Sequence, residues 1–262
     1  MRRLRVTRAV NCAAGLAGLA LLIAAAPGRS VAQSDEARDL VKRALDALPR
    51  VSFEAKMKVS VARGGVRELD LRHKFVNGAR ASYLEVSAPP DLEGMRFLFL
   101  ERPGGTPEQY MKIAGTHKII QVSPELRKHP FLGSDFYVAD LIEPQLDAFT
   151  YSFVGENDVN GRHCKLVESV PKDPTTALYA KTLIAIDPVD LLVMKRLFMA
   201  GEGKLLKVWR VEKVTKIDGY WTLQDQRMKN VPDDTESTLE ITQVKYNVDL
   251  PDEMFTPKYL AR

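Results

Sequence analysis

Apolar and polar residues alternate with period two along most of this chain, and turn pairs break the alternation at short intervals; no other feature limits its fold so tightly. Over residues 51–61, Val51, Phe53, Ala55, Met57, Val59 and Val61 fall on one face. Ser52, Glu54, Lys56, Lys58 and Ser60 fall on the other. That is a strand with one dry and one wet face. Gly64-Gly65 predicts a hairpin, and the returning strand points Leu69, Leu71, His73 and Phe75 inward. Asn77-Gly78 supplies two residues that accept positive φ, as a type I′ turn requires. A third strand follows over residues 80–87. The same grammar continues to residue 248, with turn signals at Gly115, Asn160-Gly161, Pro188 and Asp218-Gly219. It gives about eleven strands joined mostly by short turns, an antiparallel meander.

Two segments depart from the alternation. In residues 34–48, Ala37, Leu40, Val41, Ala44, Leu45 and Leu48 recur at helical spacing. Ser34 is the expected cap, Asp35 and Glu36 suit the positive end of the helix dipole, and Pro49 stops the helix. Residues 123–146 hold Pro124, Pro130 and Pro144, the run Phe131-Leu132-Gly133-Ser134-Asp135-Phe136, and a short helix expected over residues 138–142. A break of this length in a meander is either a lid or a plug.

An eleven-stranded sheet must curl to bury its apolar face, and one long helix with one short insertion is too little to fill a closed barrel. The fold class expected is mainly β: a curved antiparallel sheet forming an unclosed half-barrel, with the helical pieces across its concave face. Phe53, Met57, Phe75, Phe97, Phe99, Met194 and Phe198 are expected to line that face, with Phe131 and Phe136 from the insertion. Methionines and aromatics suit a cavity for acyl chains of variable shape. Singly, each is better explained by a packed core, so the cavity is inferred from the ratio of sheet to helix.

The first 32 residues carry Arg2, Arg3, Arg5 and Arg8, an apolar run over residues 13–26, and Ser30-Val31-Ala32. Charge, apolar stretch and small-residue site in this order define a secretion signal, with cleavage expected after Ala32. The run is shorter than the ~20 residues of a spanning helix, and Cys12 precedes it, so no lipid anchor is expected. The two expected units are therefore the leader, 1–32, and a single domain, 33–262. The net charge of +4 comes from 38 basic and 34 acidic residues, and five of the arginines lie in the leader. The remainder is near neutral, which removes the electrostatic case for nucleic acid. Cys164, alone after cleavage, is expected to be buried and structural.

Catalytic signatures are missing. The chain has no Gly-x-Ser-x-Gly, phosphate loop, His-Glu-x-x-His or Cys-x-x-Cys, and His73, His117, His129 and His163 lack ligand spacing. Ser134-Asp135 is the one pairing of interest. Capping of the turn at residues 138–142 explains it better than a nucleophile without an oriented base. No enzyme activity, metal or cofactor is expected.

Phe97-Leu98-Phe99-Leu100, then Gln109-Tyr110-Met111-Lys112-Ile113, Ile119-Ile120, Arg127-Lys128, and Gly133-Ser134-Asp135-Phe136 with Asp140-Leu141 resemble the signature of the LolA-like outer-membrane lipoprotein-sorting proteins. Gly203-Lys204-Leu205-Leu206-Lys207 and the close Leu250-Pro251-Asp252-Glu253-Met254-Phe255-Thr256 are similar to that family as well. The resemblance spans residues 35–260. It implies an unclosed β-barrel covered by helices, with a hydrophobic cavity for lipid or lipoprotein acyl chains. It implies a periplasmic location, an inner-membrane transporter as donor and an outer-membrane acceptor. Gly133, Ser134, Asp135 and Asp140 form the lid motif. No motif assigns a lid-latching charge to Arg63, Arg67 or Arg72. The alternative within the same fold is a periplasmic sensor that detects lipids or lipoproteins and signals to a membrane partner.

Overall fold

The computed structural model describes residues 31–101, 107–123 and 125–262, with side chains from residue 34 onward. The basic and apolar parts of the leader lie outside them. Helix α1 spans Val31–Asp46. It begins before Ser34, so Ser34 does not cap it and Asp35 and Glu36 stand beyond its first turn.

Among the described residues thirteen strands follow in a single antiparallel sheet, rather than about eleven. The first six are β1 Phe53–Val61, β2 Gly65–Val76, β3 Ala79–Ala88, β4 Arg96–Leu100, β5 Glu108–Lys112 and β6 Ile119–Gln121. The remaining seven are β7 Phe149–Val159, β8 Arg162–Pro171, β9 Lys181–Asp187, β10 Leu192–Met199, β11 Leu205–Ile217, β12 Tyr220–Asn230 and β13 Thr235–Tyr246. Each segment read as a strand pairs as one, the short β5 and β6 among them, so the total exceeds the eleven or so expected. The three turn pairs Asn77-Gly78, Asn160-Gly161 and Asp218-Gly219 all have positive φ at both residues, the geometry that lets a two-residue turn follow the twist of its strands.

The spatial order is β6-β5-β4-β3-β2-β1-β13-β12-β11-β10-β9-β8-β7. Two meanders are thus joined along the β1–β13 seam, where Phe53 faces Tyr246 and Val59 faces Leu239. Register shifts interrupt this seam and several other pairings, including β11–β12 and β7–β8. Such bulges bend strands and increase twist, so they curl the sheet. β6 and β7 remain its edges, and the barrel stays open.

Both faces are used. Phe97 and Phe99 of β4 join the main core with Met57, Val59, Leu69, Trp209 and Met228. Leu98 between them points the other way, under Leu250, Phe255 and Leu260 of the chain end. This explains why β4 reads as continuously apolar. α1 packs Ala37, Leu40, Val41 and Ala44 on Tyr151, Val167, Ile184 and Ile186. Among the described residues, no helix is long and apolar enough to cross a membrane.

Candidate functional site

Because β6 and β7 are opposite edges, the chain between them, residues 122–148, has to travel from one edge to the other. This crossing carries the Gly-Ser-Asp-Phe motif. Leu132 and Gly133 both take positive φ, 51° and 78°, which closes a tight loop. The Ser134 hydroxyl donates to the Phe131 carbonyl at 2.6 Å and accepts the Phe136 N–H at 3.3 Å. The Phe131 N–H donates to the Phe136 carbonyl at 2.7 Å. Ser134 therefore braces its own loop and does not cap the turn that follows. That turn spans Val138–Leu141 and begins at Tyr137, whose N–H donates to Asp140 at 2.8 Å. Phe131 and Phe136 end up buried with the strands of both meanders, and the Phe131 ring lies 5.0 Å from that of Phe97.

Polar anchors fasten the crossing to the sheet. Asp135 accepts from Thr235 Oγ1 at 2.5 Å and Ser237 Oγ at 2.6 Å on β13. Gln109 of β5 donates to the Val138 carbonyl at 3.2 Å. Asp140 pairs with Lys207 of β11 at 3.2 Å, each side chain only 3% exposed. It also accepts from the Tyr179 hydroxyl at 2.8 Å, and the Lys207 ammonium stands 2.9 Å from the Tyr137 ring centroid. Burial pulls the Lys207 ammonium below its ordinary range while Asp140 opposes the shift. Burial pushes the Tyr179 phenol up, and Asp140 adds to the rise. A buried ion pair of this kind survives only where other hydrogen bonds complete it.

Beside the crossing lies a hollow of about 320 Å³, at the lower end of the ~300–1,000 Å³ typical of ligand pockets. Ala44, Leu45, Ala47, Leu48 and Pro49, at and just after the end of α1, form one wall. Phe136, Asp140, Leu141 and Glu143 of the crossing form another, and the sheet supplies the rest. Of the aromatic and methionine residues singled out in the sequence, Phe53, Met57, Phe99, Phe136 and Phe198 line the hollow. Phe97, Phe131 and Met194 pack in the core beside it. Phe75 stands apart, its ring edge-on to His73 at 5.6 Å. Asp140 reaches the hollow, whereas Gly133, Ser134 and Asp135 hold the crossing in place from behind.

Sequence reasoning missed Trp209, Trp221, Met228 and Arg196, which also line the hollow, and Lys207. One local signal pointed to Lys207. It shares the i, i+2, i+4 phase of Trp209 and Val211, so it sits on the buried side of β11.

Two polar pairs resemble reactive chemistry. His73 Nδ1 lies 2.9 Å from Ser82 Oγ across β2–β3, but burial pushes the imidazole down to about 4, far from the basicity a general base needs near neutrality. Cys164 is fully buried and its thiol is pushed up to about 11, chiefly by burial. Its neighbour His163 is exposed between Asp158 and Glu156.

Set beside solved structures, 87% of the chain superposes on the whole of a Vibrio parahaemolyticus domain named for outer membrane lipoprotein sorting, with TM-score 0.81 and 19% identity. The same share superposes on 99% of a DUF1329 family protein from Desulfovibrio piger, with TM-score 0.81 and 20% identity. A LolA superfamily protein from Nitrosomonas europaea matches over 85% of this chain and 98% of its own, with TM-score 0.65 and 18% identity. The fold is the one these structures share, a LolA-like unclosed half-barrel. A family model described as "Uncharacterized protein" matches residues 78–262, and the chain belongs to that family. No curated relative matches the sequence.

Proposed function

We propose that this protein is exported to the periplasm, with its leader cleaved after Ala32, and carries a lipid or lipoprotein acyl chain in the hollow towards the outer membrane. The observation that carries this reading is the hollow itself. An apolar and aromatic space remains between α1, the crossing and the sheet, where a filled core would leave none. The chain contacts Phe53, Met57, Phe99, Phe136 and Phe198. Phe97, Phe131 and Met194 back that wall, and Gly133, Ser134, Asp135 and Asp140 hold the cover over it. The LolA-like fold supports the reading, as does a leader of secretory type. An inner-membrane donor and an outer-membrane acceptor complete the route.

The test is to purify the protein from its native host, extract it with organic solvent and identify lipids by mass spectrometry. A stoichiometric co-purifying lipid, displaced by a fluorescent fatty acid, is the expected result. An empty protein that also fails to bind the fatty acid would refute the proposal.

A further inference from the structure

The hollow is small and its charges are uneven. About 320 Å³ holds about ten groups the size of a water molecule. That is room for at least one chain of roughly that many carbons.

Charged groups gather where the hollow meets solvent. Arg196 of β10 and Glu143 of the crossing both line it, 3.2 Å apart, with side chains 16% and 28% exposed. The Arg196 guanidinium also lies over the Trp209 ring, 5.2 Å from its centroid. Arg80 of β3 donates to the Leu45 carbonyl of α1 at 3.1 Å and stands 3.8 Å from Glu101. Glu101 in turn is close enough to Glu143 for the two carboxyls to repel. The group therefore places two guanidinium ions, which keep their charge in proteins, against two carboxyls. One of those carboxyls, Glu101, is pushed up to about 7, mainly by burial, and so is partly neutral near pH 7. Of these cations, Arg196 is the one that lines the hollow.

Resting on the carrier reading above, we infer that the hollow is built for a single-chain amphiphile with an anionic head, the chain against Phe99, Phe198 and Trp209 and the head on Arg196. The head displaces Glu143 from Arg196. A carboxylate or phosphate meets the guanidinium fork in a charge-assisted, two-point contact, while Trp209 keeps the fork in plane.

The only two tryptophans of the chain, Trp209 and Trp221, both line the hollow, so their fluorescence reports occupancy. The full-length exported protein is titrated with dodecanoate, dodecyl phosphate, a neutral twelve-carbon monoacylglycerol, and acetate and inorganic phosphate as chainless anions. Dodecanoate and dodecyl phosphate are expected to bind about tenfold tighter than the monoacylglycerol. Arg196→Gln is expected to cut that ratio to near one, and Glu143→Gln, which frees Arg196 without removing a cation, to raise it severalfold. Equal affinity for anionic and neutral probes, untouched by either substitution, overturns the head assignment and leaves the carrier reading standing. Chainless anions binding as tightly as dodecanoate overturn it by making the rim a plain anion site. No binding of any probe overturns the single-chain assignment, and the lipid extraction described above then decides the carrier reading on its own.

Discussion

Two of the ion pairs that fasten the crossing differ in how much water they see. At Asp140 the partner is Lys207, and both side chains are 3% exposed. A few residues on, at Glu143, the partner is Arg196, and both keep several times that exposure. The two pairs have the same N···O separation, 3.2 Å, so distance does not distinguish them. Their surroundings do. In the dry pair each charge depends on its partner, because an unpaired buried ion is costly. In the wetter pair water replaces a lost partner at little cost. The dry end fixes the crossing, and the wet end is free to exchange an internal partner for a ligand.

The largest effect that would break this contrast is expected at Lys207. Lys207→Ala strands the Asp140 carboxylate and is expected to cost about 3–5 kcal/mol of unfolding free energy, measured by urea denaturation. Removing both charges while keeping an acceptor for the Tyr137 N–H or the Tyr179 hydroxyl, Asp140→Asn with Lys207→Met, should recover part of that loss. A loss below about 1 kcal/mol in the single variant would mean that the pair is hydrated.

Two groups near the hollow give opposite pH signatures. His73 is buried, with a folded value of about 4 against an ordinary 6.5. Between those values the unfolded chain binds more protons, so stability falls as pH drops from about 6.5 towards 4, by about 3 kcal/mol in full. Glu101 is raised to about 7 from 4.5. Its contribution is complete below about pH 4.5 and disappears as pH rises through 7. Allowing for its residual exposure, Glu101→Gln is expected to stabilise the protein by about 1–2 kcal/mol at pH 8 and hardly at all at pH 4. Melting curves of the parent and Glu101→Gln across this range separate the two signs, and parallel curves at every pH would contradict the assignment.

The smallest effect on stability is expected at the wet end. Glu143→Gln should change unfolding free energy by less than about 1 kcal/mol. A loss comparable to that of Lys207→Ala would erase the distinction between the two fastenings.

The sequence revealed what is local. Period-two faces located the strands, and Asn-Gly and Asp-Gly pairs located the turns, because those residues tolerate the positive φ that a two-residue turn demands. What escaped is long-range. Nothing near Phe53 announces that it faces Tyr246, nearly 200 residues away, so the seam and the edge-to-edge path of the crossing were hidden. The lid motif was visible as a motif, but the partners of Asp135 and Asp140 lie about 100 and 67 positions distant. The helix start was misplaced because Ser34 reads as a cap, whereas the helix already runs from Val31. Phe75 has the same inward phase as Leu71, yet it sits further along β2, beyond the hollow. Phase fixes the face a side chain takes, and position along the strand decides whether it reaches the cavity.

The central claim, that an acyl chain occupies the space between α1, the crossing and the sheet, is tested most directly by a fatty acid brominated along its chain. Bromine quenches tryptophan only at close range. Trp209→Phe and Trp221→Phe each leave one reporter in the wall. Both single-tryptophan proteins should be quenched, at the same ligand concentration that saturates binding by calorimetry. Saturated binding with both tryptophans unquenched would place the ligand elsewhere and contradict the account.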